Sequence, residues 1–390
     1  MKILTKLAVY KVLYRFGLAL GLPFSPGHLK LSKRNTSSCS KKCVVAVTVF
    51  KLIAYLFTSI SLYDLLNFSV LALNLHTYNT CAIIVTFVMI SRHKKIVKAI
   101  REINRLSPKL EQNCRKTDIC TVFLAVCIGS FIIIISISQF LFLRQNLRKK
   151  LLSKKMFGYE LPNIVWLFYA YTHGIFFVLT YTNGLLTMLF VTLLSFKTFS
   201  DLSETVRRYR RTLLKFITLG SLDEFCVQER LANFSQLVDC TNYVEEGFSG
   251  CALFLIGSNV SCFFLLFSGI ASGDQAYQHR MVLLFTTSGF AMSAFEFLCV
   301  VRSANKVCDE DEILKKSVVR LSEKGIWGFS QQENRICLSK FHCLALLADT
   351  IRGTVLELTG GNLFVLKNNL ILSIVGLMLT YGVLIFQFGH

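Results

Sequence analysis

Long apolar runs, separated by basic and amphipathic stretches, set the organisation of this chain. Seven of them, 44–62, 70–90, 121–142, 164–194, 250–270, 281–301 and 363–388, have the roughly 20 residues that a helix needs to cross about 30 Å of hydrocarbon. The fourth, at about 46 Å of helix, is long enough to tilt or protrude. Asn74, His76, Tyr78, Asn79 and Thr80 interrupt the second. Pro23, Pro26, Pro108 and Pro162 all lie outside the runs, so unbroken helices are expected. Between the runs, 196–247 and 302–362 alternate apolar and charged positions, as in Val206, Leu213, Phe234 and Leu237, then Leu314, Val318, Leu347 and Ile351. Such amphipathic helices must pack on something, because alone they bury nothing.

Composition agrees with a polytopic, all-α membrane protein. Of 390 residues, 53% are hydrophobic and 17% charged, too apolar for a soluble fold of this size. Charge placement adds an orientation. Segment 1–43 holds nine Lys/Arg and no acid, and 91–118 holds nine Lys/Arg against three acids, which puts the N-terminus in the cytosol and, after seven spans, the C-terminus outside. The loop 144–162 disagrees, with six bases against Glu160, and is outvoted by the two cytoplasmic segments. The net charge of +20 then reads as topology and attraction to anionic membrane lipid, not as nucleic-acid binding. Fourteen Cys without C-x-x-C spacing make neither a disulfide framework nor a metal site. Near the N-terminus, Ile3, Leu7, Val12, Leu13 and Phe16 suggest an amphipathic helix on the membrane surface.

The last run carries the most specific pattern. Thr380 and Gln387 are seven apart, as are Tyr381 and Phe388, so each pair falls on nearly one stripe of a helix. A polar stripe must face protein or water, since an unpaired polar group in lipid costs on the order of a few kcal/mol. The ending Thr380-Tyr381, five residues, Gln387-Phe388 resembles the signature that closes the last helix of the insect gustatory receptors. Gly382 stands where that family carries a larger apolar residue. The match covers about the last 30 residues, with Gly361, Leu363, Phe364, Ile371, Leu372 and Ser373 leading into it; elsewhere the likeness is one of length, span count, orientation and loop sizes.

The resemblance implies a ligand-gated, non-selective cation channel in the plasma membrane of a chemosensory cell, opened by a small-molecule tastant. It implies a homo- or hetero-tetramer with other gustatory receptors, and no enzyme activity or cofactor. The implied organisation is a cytoplasmic segment 1–43, a six-helix bundle 44–301 with the extension 196–247, anchor helices 302–362, and a pore-lining seventh helix 363–390. Thr380, Tyr381, Gln387 and Phe388 would line or gate the pore, where rings of aromatic side chains close by dewetting and amides meet permeating ions.

In the fourth run, Trp166, Tyr169, His173, Phe177 and Tyr181 recur every three or four residues, giving the aromatic face that a pocket for a small organic molecule needs. Core packing uses the same residues. The family places its ligand cavity in the outer halves of the second to sixth helices, which makes His76, Tyr78, Ser138, Gln139, Thr286 and Thr287 further wall candidates. An aromatic, uncharged wall leans toward a bitter compound over a sugar, whose hydroxyls want acids and amides. Glu296, the acid inside a span, and Lys51, a base midway down the first, are costly at that depth and are expected to pair or to act in gating. Lys367 is expected to snorkel to the cytoplasmic surface. An odorant-type receptor channel of the same architecture and a G-protein-coupled receptor are the alternatives. The second is disfavoured by the orientation and by the lack of proline in the final run.

Overall fold

The computed structural model describes residues 2–24, 38–66, 70–110, 162–218, 224–271, 280–329 and 335–388, together with positions 129, 130, 133, 137, 155, 156, 159 and 160. The fold is all-α and polytopic. Among the described residues there are eight helices: α1 (Lys2–Ala19), α2 (Ser38–Leu66), α3 (Val70–Leu110), α4 (Asn163–Thr218), α5 (Glu224–Ala271), α6 (Arg280–Phe329), α7 (Arg335–Gly353) and α8 (Asn368–Phe388). Two short antiparallel hairpins accompany them, β1 (Lys155–Met156) with β2 (Tyr159–Glu160), and β3 (Thr359–Gly360) with β4 (Phe364–Val365). Most of the third run, 121–142, lies outside the described residues.

Helix length separates a membrane layer from a layer beneath it. The 56 residues of α4 make about 84 Å of helix at 1.5 Å per residue, nearly three times the hydrocarbon thickness. The amphipathic stretches read in the sequence are therefore the inner halves of α4, α5 and α6, continuous with their spans. Within α4 and α5, 174–216 and 227–269 are each long and apolar enough to cross a membrane, and shorter apolar stretches occupy 44–59 of α2 and 368–384 of α8.

Below the spans, α3, α4, α5 and α6 share one core. Ile96, Ile100 and Ile103 of α3 are buried, and Gly247 lets α5 approach, since a Cβ there would stand 3.0 Å from Ile96 and 3.3 Å from its backbone nitrogen. Phe199 packs edge-on against Phe248 at a ring separation of 5.5 Å, and Tyr209 lies tilted on Phe234 at 5.6 Å. Polar links tie α4 to α6. Glu310 accepts from Arg207 at 2.7 Å and from Arg210 at 3.1 Å. Because Glu310 is buried, deleting it would cost Arg210 this partner and leave Arg207 only Glu204, at 3.3 Å, a loss of up to about 3 kcal/mol.

The N-terminal helix departs from expectation. It buries Val9, Tyr10, Leu13 and Tyr14, while Val12 is 49% exposed, so its packed face meets protein and not the membrane surface. The Tyr10 hydroxyl donates to Asp201 Oδ2 at 2.9 Å, and Lys197 closes the same carboxylate at 2.9 Å. Burial and the Asp201 charge push the Tyr10 phenol well above its ordinary range, so it remains a donor. Phe16 and Phe24 both pack on Phe190. These contacts place α1 on the side of the long inner extensions, where the basic N-terminal segment was expected.

The seventh span also begins later than its apolar run. Residues 363–365 belong to the β3–β4 turn, and α8 starts at Asn368. The turn needs positive φ at Gly361 (61°) and Asn362 (60°), a conformation that Gly and Asn tolerate. A Cβ on Gly361 would also stand 2.6 Å from Leu253. The hairpin is held from below: Gly361 N–H donates to Ser249 O at 2.9 Å, Thr359 N–H and Oγ1 donate to Glu245, and Leu356 N–H to Asp311 Oδ2. Asn305 Oδ1 accepts from Asn368 N–H at 3.0 Å, capping the first turn of α8 from α6.

Candidate ligand cavity and pore helix

Tyr78 on α3, Tyr181 and Leu185 on α4, Cys262 and Leu266 on α5, and Thr286, Gly289, Phe290 and Ser293 on α6 converge around a cavity with about 480 Å³ of empty volume. The two tyrosine rings stand 6.3 Å apart, and Phe263 packs on Phe290 at 5.0 Å behind the wall. Its lining, aromatic and aliphatic side chains with a few hydroxyl groups, suits a small organic molecule.

The sequence-derived wall candidates divide. Tyr78, Tyr181 and Thr286 line the cavity, whereas Thr287, 100° further round α6, is exposed. His76 lies elsewhere: its ring stacks on Tyr55 of α2 at 5.5 Å, and its nitrogens meet Tyr55 and Ser59. Tyr169 likewise packs on Phe57 of α2. The aromatic stripe of α4 thus does not keep to one face. Each four-residue step advances 40° round the helix, so between Tyr169 and Tyr181 the stripe turns by about 120° from α2 toward α3. Ser138 and Gln139 lie outside the described residues, as do the side chains of Trp166, His173, Phe177 and Phe388.

A second cavity, of about 500 Å³, opens between α2, α3 and α4 and is lined by Lys51, Asn79, Thr86, Thr180, Asn183 and Thr187 among others. It was not foreseen; its one sequence signal is the polar interruption of the second run at Asn79. The expected pairing of Lys51 with Glu296 does not occur. Lys51 Nζ donates to the Leu20 carbonyl, at the end of α1. Glu296 is fully buried, and neither carboxylate oxygen has a hydrogen-bond partner.

On α8, Ile374 is buried, and Leu370 and Met378 are half-buried against the bundle. Tyr381 turns the same way, its ring edge-on to Phe264 of α5 at 4.9 Å. Ser373, Thr380 and Gln387 recur every seven residues on an exposed stripe, about 100–140° from Ile374. Thr380 satisfies its hydroxyl on its own helix, donating to Gly376 O at 2.9 Å. Leu372, Leu377, Leu379 and Val383 beside the stripe are 55–72% exposed, so much of the surface of α8 has no cover within one chain. Lys367, just before the helix, meets Glu357.

Carboxyl groups beneath α8 are strained toward neutrality. Burial pushes Glu245 above the usual carboxylate range, against the lowering effect of its bonds from Thr359. Asp311 is raised by burial too, partly offset by Lys315.

No protein-family model matches this sequence, and no curated protein does. Solved structures do. The insect olfactory receptor OR5 from Machilis hrabei superimposes with a TM-score of 0.57 at 14% identity, over 97% of each chain. The same receptor in complex with eugenol gives 0.59 at 13%, over 98% of this chain and 99% of that one. Along its whole length, the chain is therefore similar in fold to an insect olfactory receptor.

Proposed function

We propose that this protein is a chemoreceptor of the plasma membrane that works as a ligand-gated, non-selective cation channel, with α8 lining a pore shared by four chains. The observation that carries the reading is the uncovered face of α8. A helix that leaves Leu372 and Leu379 bare beside a heptad stripe of Ser373, Thr380 and Gln387 supports a place between subunits and around water, where those hydroxyls and amides are hydrated. Gln387 and Phe388 form the outer gate; Tyr381, which packs on Phe264, couples α8 to α5.

Ligand enters the cavity bounded by Tyr78, Tyr181 and Thr286 and binds the open arrangement more tightly than the closed one, which alone can shift the equilibrium. A small tastant of bitter character is the favoured ligand, on the aromatic wall and the Thr-Tyr to Gln-Phe ending of α8. An odorant is the second reading, favoured by the likeness to an olfactory receptor. Eugenol, bound to OR5, is a first compound to try. The direct test records currents from cells expressing the chain, alone and with candidate sister subunits, during a screen of small organic compounds. Ligand-evoked cation currents are expected; their absence under every pairing, with protein at the surface, would overturn the reading.

A further inference from the structure

A buried acid lies beneath the cavity wall. On α6, Thr286, Gly289 and Ser293 line it, and Glu296 continues the same stripe one turn further in. Glu296 lies within electrostatic reach of two wall residues, Tyr78 and Cys262, so it sits beneath the cavity and not on a far face. It is 0% exposed, and both carboxylate oxygens lack a hydrogen-bond partner. The Tyr78 hydroxyl, also buried, lacks one too. Among the described residues that line the cavity there is no Lys, Arg or His, and Lys51, the base in the first span, is engaged by the Leu20 carbonyl.

A buried carboxyl with four acceptor sites and no donor is costly as it stands, and the cost is relieved by a ligand that brings both donors and positive charge. The walls fit such a group, since Tyr78, Tyr181 and Phe290 offer aromatic faces to a cation. We propose that this cavity selects small aromatic ligands bearing a protonated amine, with the ammonium bound at Glu296 and the apolar body against Tyr181 and Phe290. The inference rests on the reading of this cavity as the ligand site. It departs from the uncharged pocket expected from the sequence.

Purified full-length oligomer would be titrated with 2-phenylethylamine and tryptamine and with the matched neutral alcohols, 2-phenylethanol and tryptophol. Each amine should bind about tenfold or more tightly than its alcohol, the scale of one charge-assisted hydrogen bond. Glu296→Gln, which keeps size and hydrogen bonding, should bring each amine down to its alcohol while leaving the alcohols unchanged. Should that variant fail to assemble, the amine-to-alcohol ratio of the wild-type protein still decides. Equal affinities, absent amine binding, or amine binding indifferent to Glu296→Gln would overturn the proposal. Gly289→Leu separates the two levels: if it abolishes binding of both series while the amines show no preference, the cavity stands and the amine assignment falls; if it changes neither, the cavity reading falls as well.

Discussion

Gly289→Leu narrows the cavity at its α6 wall. A Cβ built on Gly289 meets no atom within 4 Å, so the first carbon of the new side chain has room. Its four carbons occupy space that ligand atoms would otherwise take, so a ligand packed against this wall would lose room for about four heavy atoms. At ~0.3 kcal/mol each this forfeits ~1.2 kcal/mol, close to tenfold in affinity. Stability should not fall, because replacing a mid-helix glycine recovers about 1 kcal/mol of helix propensity. The assay is the agonist dose-response with surface expression measured in parallel, and with Gly257→Leu as control, since Gly257 is exposed and equally free of neighbours. A rise of about tenfold in half-maximal concentration for Gly289→Leu alone is expected. A response within threefold of wild type at normal expression would refute the cavity as the ligand site.

Other consequences follow from assembly, the gate and the hairpin. In mild detergent the protein should run as a multiple of its 44.2 kDa protomer, most simply four, and a monodisperse monomer by light scattering would exclude a shared pore. Phe388→Ser should give a ligand-independent leak, since dewetting requires an apolar constriction; Phe386→Ser, about 160° away round the helix, should not. Gln387→Ala should change ion preference in reversal-potential measurements without opening the pore. Glu245 and Asp311 bind protons more tightly folded than unfolded, so their contribution to stability rises as pH falls toward the ordinary carboxylate range and is lost as pH rises. The melting temperature should increase from about pH 7 to about pH 5, and Glu245→Gln should flatten that slope.

Much of the fold was legible because lipid imposes a simple rule: a span is an apolar run of fixed minimum length, and the described helices contain five of the seven runs whole and most of the last. The outer stripe of α8 was legible for a related reason, since Thr380 and Gln387 share a heptad position whatever lies around them. Features that depend on distant residues were not. Nothing local announces that Tyr10 will meet Asp201, so α1 read as a surface helix. The start of α8 slipped from 363 to Asn368 because the apolar character of Leu363, Phe364 and Val365 conceals a turn fixed by two positive φ angles and by Ser249. Within the candidate site, the error came from treating four-residue spacing as a straight stripe, which Tyr169 and Tyr181 disprove by facing different helices. Glu296 was recognised as an expensive group, but its lack of a partner depends on what three other helices place around it.

If this chain forms a pore gated at the outer end of α8, planar-bilayer recording of purified wild-type protein and of Phe388→Ser will reveal it, because the leak variant needs no knowledge of the ligand. Phe388→Ser should give steady cation-carrying channel openings, and the wild type should stay nearly silent. Silent bilayers from both, with inserted oligomer demonstrated, would contradict it.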